Sequence, residues 1–430
     1  MIKAFPIKPV DPKIALHPLE QRGFVTVPFD YANPEADTLQ IFYRLIPAYA
    51  SSVDDRSKPI IVVINGGPGV ASSAYRALNF DYEHADAPQN GPVNRFRYLL
   101  NSYQVLIVDQ RGTDGHSAPI DMECEQINAN GIAHYFSSDN QARDYLAVIE
   151  EVVPKDENFF IVAQSYGGMV GMQYLALDHA RKPKGIVFSC SALPYEDIRD
   201  AMMSRRAEQL KLNKQLKAAI PDIEKKLAEL RSHLRLIGID PCYAHSLYSL
   251  LGKGSEGEWQ STFVKQLDKM LMQDKQQTQN EIKDNLGAES LLNYILSSAN
   301  FTPGYTDRTL AKITSEAIPF EAWMLDENCI LMQTGADLDW KKFFVEGMDN
   351  NPPPATPFPS VDELRAQIAN NQLLFVAGEN DAFVPAEAYL RAVEKFRVPG
   401  HTEIMHLPGG HNAIFLEKGY EAFKRWAAKL

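Results

Sequence analysis

The passage that most constrains this chain is Phe159-Phe160-Ile161-Val162, an unbroken apolar run that leads directly into Ala163-Gln164-Ser165-Tyr166-Gly167-Gly168. An amphipathic stretch from Met169 to Ala180 follows at once. A short run of this kind suits a strand buried on both faces of a sheet, and apolar residues at helical spacing suit a helix packed behind it. The turn between them has to be sharp. Small residues two positions before and after the serine let such a turn close and lift the hydroxyl above the sheet edge, so the pattern reads as a nucleophile elbow with Ser165 at its apex. Ala163 stands where the G-x-S-x-G pattern has its first glycine, adding one methyl group to the turn. The helix beginning behind Ser165 points its N-terminus at the same spot, which favours negative charge on a bound carbonyl oxygen. The N–H of Tyr166 is the natural first donor to it.

Similar apolar runs recur along the chain. Ile60 to Ile64, Gln104 to Val108, Gly185 to Phe188, Leu373 to Ala377 and Thr402 to Leu407 are each short enough for a strand. Helical spacing lies between or after them, at Asn140 to Val153, Ala386 to Phe396 and from about Ala413 to Leu430. Phe24 to Phe29 and Thr38 to Leu45, separated by Asn33-Pro34, read as an antiparallel strand pair. The expected class is α/β, with a mostly parallel eight-stranded sheet and helices on both faces. The alternation stops at Tyr195, after the sixth strand, and gives way to helical stretches such as Lys211 to Ile237 and Phe263 to Leu286. The prolines of Asn351-Pro352-Pro353-Pro354-Ala355-Thr356-Pro357-Phe358-Pro359 then form a stiff extended connection. The expected organisation is a core formed by residues 1–194 and 351–430, split by a helical cap at 195–350.

Asn65-Gly66-Gly67-Pro68-Gly69 follows the Ile60 to Ile64 run. Glycines there let the backbone approach a ligand and turn an N–H toward it, and Pro68 stiffens the loop, so Gly67 is the expected second oxyanion donor in preference to Gly66. A phosphate loop would need Gly-Lys-Ser/Thr, which does not follow. A serine nucleophile needs a base, and in chain order the acid comes before the histidine. His411, in Pro408-Gly409-Gly410-His411-Asn412 after the last strand, is the candidate base; His406 is the competitor within the strand. Asp381, in Gly378-Glu379-Asn380-Asp381, is the candidate acid, with Glu379 as the alternative at the same strand end.

The charge balance, 55 acidic against 43 basic residues and a formal charge of −12, disfavours nucleic acid as a partner. The four cysteines (Cys124, Cys190, Cys242, Cys329) form no C-x-x-C pair, so reduced, unpaired thiols are expected rather than a zinc or dithiol site. With no apolar leader-like segment at Met1 to Pro6 and no run of membrane-spanning length, a soluble cytoplasmic protein without membrane partners is expected. The chemistry above requires no cofactor and no metal.

Together with Val108-Asp109-Gln110-Arg111-Gly112-Thr113-Asp114-Gly115-His116-Ser117, these pieces resemble the prolyl aminopeptidase (proline iminopeptidase) branch of the α/β-hydrolases. That branch carries a His-Gly-Gly-Pro-Gly oxyanion loop, an Asp-Gln-Arg-Gly motif and a Gly-x-Ser-x-Gly-Gly elbow. The likeness covers roughly Gly23 to Pro194 and Asn371 to Leu430, with Asn65 where the family usually has histidine. It implies an α/β-hydrolase fold, a Ser165, His411 and Asp381 triad, and Gly67 and Tyr166 as oxyanion donors. It also implies release of an N-terminal residue, usually proline, from a peptide. Cap glutamates would then hold the free amine, since a buried ammonium needs a carboxylate beside it. Glu316, Glu321 and Glu327 are the candidates, with Glu289 further off and Phe320 and Trp323 as apolar lining. Asp109 and Arg111 are expected to brace the loop beneath the site.

Two other functions compete with this one. The same triad would serve an esterase or amidase acting on small non-peptide substrates. A binding protein that keeps the fold without activity is the third reading, resting on the Asn65 and Ala163 departures.

Overall fold

The computed structural model describes residues 20–48, 58–67, 96–111, 135, 137–178, 181–195, 198–239, 241–252, 258–285 and 358–430. All eight expected strands form and join one sheet. They are β1 (Gln21–Pro28), β2 (Thr38–Ile46), β3 (Ile60–Ile64), β4 (Gln104–Val108), β5 (Phe159–Gln164), β6 (Gly185–Ser189), β7 (Leu373–Gly378) and β8 (Thr402–Leu407). Their spatial order is β1-β2-β4-β3-β5-β6-β7-β8. The pairings β1 with β2 and β2 with β4 are antiparallel, and the rest are parallel. This is the mostly parallel α/β sheet that the apolar runs predict.

The described α-helices are α1 (Ser138–Val152), α2 (Gly167–Ala176), α3 (Ile198–Ala219), α4 (Ile223–Leu236), α5 (Glu258–Met272), α6 (Lys275–Asn285), α7 (Val361–Ile368), α8 (Ala386–Phe396) and α9 (Glu417–Ala427). Three expectations about helices need correcting, one being Phe263 to Leu286, which is divided between α5 and α6 at Gln273 and Asp274. The stretch from Lys211 to Ile237 is two helices, because Pro221 offers no N–H and keeps Ile220 out of helical geometry. The last helix starts at Glu417, and the chain before it, Gly410–Phe415, is a tighter 3₁₀ turn.

Strand alternation separates two cores. Ile60, Val62 and Ile64 of β3 face the cluster that includes Tyr145, Val148 and Ile149 of α1, Met169 and Val170 of α2, and Tyr389 and Val393 of α8. Ile61 and Val63 face the opposite cluster, with Phe96, Leu99, Phe423 and Trp426. Each such side chain removed from water contributes about 1.5–3 kcal/mol, so both helical layers are held to the sheet mainly by apolar burial. Helix α7 opens with a capping box, in which the Glu363 N–H donates to Ser360 Oγ at 3.3 Å and the Ser360 N–H donates to the Glu363 carboxylate at 2.6 Å.

A third cluster belongs to the helices after β6. Leu212, Leu216, Leu227, Leu230, Trp259, Phe263 and Met270 pack together, and Ala382 of the chain after β7 is part of the same cluster. Among the described residues no helix is long and apolar enough to cross a membrane.

Candidate active site

The carboxyl ends of β5 to β8 carry one recurring device, a residue in the left-handed region just past the strand. Ser165 (φ +56°) follows β5, Cys190 (φ +48°) follows β6, Asn380 (φ +61°) follows β7, and Gly409 (φ +111°) and Gly410 (φ +57°) follow β8. For a residue with a side chain this conformation costs about 1–2 kcal/mol, so surrounding contacts must enforce it. At Ser165 they are evident: its carbonyl accepts from the N–H groups of Gly168 and Ala192, both at 2.9 Å, and its own N–H donates to the Ser189 carbonyl at 3.3 Å. The end of β6 therefore grips the elbow. Ser191 Oγ adds a bond to the Ala163 carbonyl at 2.9 Å.

Close approach explains the small residues around Ser165. A Cβ on Gly167 would lie 2.2 Å from the Ile64 carbonyl oxygen, and one on Gly168 would lie 2.4 Å from Ser191 Cβ. Ala163 is tolerated because the residue facing it is glycine: a Cβ on Gly171 would meet the Ala163 methyl at 2.9 Å. The departure at 163 is thus offset one layer away, on α2.

The loop after β3 is set by Gln110, a residue that sequence reasoning passed over between Asp109 and Arg111. Its Nε2 donates to the Gly66 carbonyl at 3.1 Å and to the Asn65 carbonyl at 3.4 Å. In a trans peptide the C=O of one residue and the N–H of the next point in opposite directions, so this bond turns the Gly67 N–H away from Gln110. Gly67 itself is exposed and takes φ +112°. Gly66 backs directly onto the elbow, where a Cβ would fall 2.6 Å from Ser165 Cβ. Tyr166 sits at the N-cap of α2.

Asp381 and His411 meet as expected from their order in the chain. His411 Nδ1 lies 2.9 Å from Asp381 Oδ2 and 3.1 Å from Oδ1. The N–H groups of Phe383 and Val384 donate to Oδ1 at 2.8 and 3.0 Å, which fixes a carboxylate that is 1% exposed. Acceptance at Nδ1 by a carboxylate puts the ring proton there and leaves Nε2 as the acceptor. Phe383 lies alongside the imidazole, with ring centroids 4.9 Å apart. The competing residues are placed elsewhere in these bonds: Glu379 gives its backbone N–H to Leu407 and its carbonyl to Gly410, and His406 lies within β8.

Among the described residues no hydrogen bond joins the Ser165 hydroxyl to the His411 ring. The two loops are tied through the neighbouring side chain instead, Gln164 Nε2 donating to the His411 carbonyl at 2.9 Å. Contacts between nucleophile and base commonly tighten only once substrate is bound.

Cys190 is a third group at the acid. It is a free, buried cysteine, its Sγ donates to the Gly410 carbonyl at 3.4 Å, and burial together with the Asp381 carboxylate pushes its thiol well above the usual range. Ligating atoms of Cys190, Asp381 and His411 all lie within 4.8 Å of one another. Two of these three are already joined as an acid and base pair, which accounts for the grouping without an ion.

Arg111 is fully buried and ties α1 to the chain at the end of β1. Its Nε and Nη2 meet Asp144 at 2.7 and 2.6 Å, and Nη1 donates to the carbonyls of Phe29 and Tyr135 at 2.9 and 2.7 Å. The Tyr31 hydroxyl donates to the same carboxylate at 2.9 Å, and burial first, then the Asp144 charge, raises that phenol above its ordinary value. The carboxylate partner of Arg111 is therefore Asp144, from α1. The cap candidates Glu289, Glu316, Phe320, Glu321, Trp323 and Glu327 lie outside the described residues.

Residues 59–418 match the family model described as alpha/beta hydrolase fold. No curated protein matches the sequence. Among solved structures, the chain is similar to a thermophilic esterase from Thermogutta terrifontis at 13% identity, covering 95% of this chain and 98% of that one with a TM-score of 0.43. It is also similar to an esterase from Exiguobacterium antarcticum at 14% identity, covering 94% and 98%, TM-score 0.41. A bromoperoxidase from Bacillus anthracis is similar at 13% identity, covering 95% and 100%, TM-score 0.40. None of these three likenesses bears on substrate.

Proposed function

The chain belongs to the α/β-hydrolase fold family, and from that premise we propose that it is a serine hydrolase using Ser165, His411 and Asp381. One observation carries the reading: a serine held at φ +56° between β5 and α2, in a molecule whose His411 and Asp381 are joined at 2.9 Å on loops tied to that same elbow.

The reaction follows from these groups. Ser165 Oγ attacks the substrate carbonyl carbon and its proton passes to His411 Nε2. The carbonyl π pair moves onto oxygen, and the N–H groups of Gly67 and Tyr166 receive that oxyanion. As the carbonyl reforms, the bond to the leaving group breaks, and the departing amine or alcohol takes the proton from His411. Water then repeats the sequence on the acyl-enzyme and releases the acid. Asp381 stays ionised throughout, holding the imidazole in place and offsetting its transient charge.

The finer reading is an aminopeptidase that releases N-terminal proline or another small residue. It is supported by the Gly-Gly-Pro-Gly loop, the Asp-Gln-Arg-Gly motif, and the role of Gln110 in orienting the former. The segment at 195–350 is read as the cap that would supply amine recognition. A panel of aminoacyl arylamides, free and N-blocked, with matched esters, tests both levels. Fastest turnover of free prolyl arylamide with loss on blocking is expected; equal turnover of blocked substrates and esters would replace the peptidase reading with an esterase one. Failure of a fluorophosphonate to label Ser165 would remove the hydrolase reading altogether.

A further inference from the structure

The helical segment after β6 meets both the acid loop and the base loop at Gly252, two positions beyond the 3₁₀ stretch Pro241–Leu250. Gly252 is buried and takes φ +67°. A Cβ built on it would lie 2.0 Å from the carbonyl oxygen of Asn380, the residue before Asp381. A Cβ built on Gly410, the residue before His411, would in turn lie 2.1 Å from the carbonyl oxygen of Gly252. The backbones of the acid loop, the helical segment and the base loop are therefore stacked with room for hydrogen alone between them, an arrangement of Cα–H groups against carbonyl oxygens.

Other contacts make this a fixed junction. The Gly410 N–H donates to the Glu379 carbonyl at 2.9 Å, and a Cβ on Gly378 would lie 2.0 Å from the Gly410 carbonyl oxygen. Next to Gly252, Leu251 is buried in the same cluster as Trp259, Phe263 and Ala382. Phe383 packs against that cluster while its ring faces His411. The anchor of the helical segment and the residues following the acid thus share one apolar core.

We infer that Gly252 is a positioning residue for the Asp381 and His411 pair, so that turnover depends on the helical segment being docked at this point. This inference rests on the serine-hydrolase reading. Gly252 sets the separation of the two loops, and through it the aim of His411 Nε2 at Ser165. A displacement near 1 Å of a reacting group is enough to cost about 100-fold in rate.

The test is Gly252→Ala in the full chain, with Met270→Ala as a packing control in the same cluster. Three readouts are needed: circular dichroism for folding, kcat and KM for phenyl acetate, and the low-field proton resonance of the imidazole N–H shared with Asp381. Gly252→Ala is expected to lower kcat by at least about tenfold with KM within about threefold, and to shift or broaden the low-field resonance. Met270→Ala is expected to leave the resonance and kcat in place. If Gly252→Ala does not fold, Leu251→Ala loosens the same anchor without adding an atom, and the same direction of change is expected. A folded variant with the kcat and resonance of the parent overturns the inference. Lack of esterase and fluorophosphonate reactivity in the parent overturns the hydrolase reading instead, and the resonance, which needs no substrate, still decides whether Gly252 positions the pair.

Discussion

The side chain of Gln164 and the backbone of His411 are joined by a single hydrogen bond of 2.9 Å, although the strand that carries the one, β5, and the strand that precedes the other, β8, are separated by β6 and β7. The bond holds the His411 loop to the residue before Ser165. Gln164→Leu keeps the bulk and removes the donor, leaving a carbonyl without that partner at a cost of about 1–3 kcal/mol. A fall in kcat of about tenfold is expected, consistent with the sensitivity of a proton transfer to alignment. Steady-state kinetics beside a denaturant titration measures both, and an unchanged kcat in a destabilised variant would mean the aim of His411 is set elsewhere.

Gly66 sits against the elbow with no space for a side chain. In Gly66→Ala the new methyl group would fall 2.6 Å from Ser165 Cβ and 3.2 Å from Ser165 Oγ. Either the elbow or the loop has to move, and Ser165 shifts if the elbow yields. Loss of about 100-fold or more in kcat is expected, with much slower fluorophosphonate labelling of Ser165. Labelling at the parent rate would show that the loop yields instead.

Gln110 acts at one remove, through the peptide between Gly66 and Gly67. Gln110→Leu releases the Gly66 carbonyl, so the Gly67 N–H is free to rotate out of the position proposed for the oxyanion. Loss of one such donor lowers kcat by about 10²–10³-fold, and the expected result is a drop toward that range with KM little changed. A variant impaired only in KM would argue for a substrate-binding role.

Arg111 and Asp144 form a buried pair whose removal should be strongly non-additive. Arg111→Met leaves the Asp144 carboxylate buried without its guanidinium, and a loss of about 3–5 kcal/mol is expected. The double replacement, Arg111→Met with Asp144→Leu, should recover much of that loss, because no isolated charge remains. Denaturant unfolding of the two singles and the double measures the coupling, and additive losses would contradict the arrangement.

The Cys190 thiol is buried, and the Asp381 carboxylate adds to the effect of burial in keeping it protonated. The thiolate is the reactive form, so raising the pH toward 9 should not expose a nucleophile here. Iodoacetamide is expected to leave Cys190 unmodified in the native protein and to modify it after unfolding, as peptide mass mapping would show. Modification under native conditions would mean that the floor of the site opens.

Much of this site was legible in the residues themselves. Ser165 and Asp381 stand out because each follows an apolar run that forms a buried strand, and His411 because it follows the last strand, with their chain order suggesting the roles proposed for them. Gln110, Gln164 and Gly252 carried no such signal. A glutamine in a motif is as readily a surface residue as a clamp, and its two bonds to Asn65 and Gly66 arise from strands that become neighbours only when β4 crosses to the far side of β3. Gly252 was hidden for the same reason, since its neighbours Asn380 and Gly410 are remote in sequence. The partner of Arg111 was likewise set by the packing of α1, which brings in Asp144 rather than the adjacent Asp109. Helix boundaries were less legible: the break at Pro221 falls inside a stretch read as continuous, and before the last helix the chain first tightens into a 3₁₀ turn.

The way β6 reaches β7 has a further consequence. Two parallel neighbours need only a crossover of a dozen or so residues, and α7 with its flanking turns already provides one. The long excursion between them is therefore optional to the wiring of the sheet. Lengthening, trimming or exchanging it is expected to leave the β6–β7 register in place, as hydrogen exchange of the strand amides would show. What such a graft has to reproduce is a side-chain-free backbone crest that can slip between two loops on the rim.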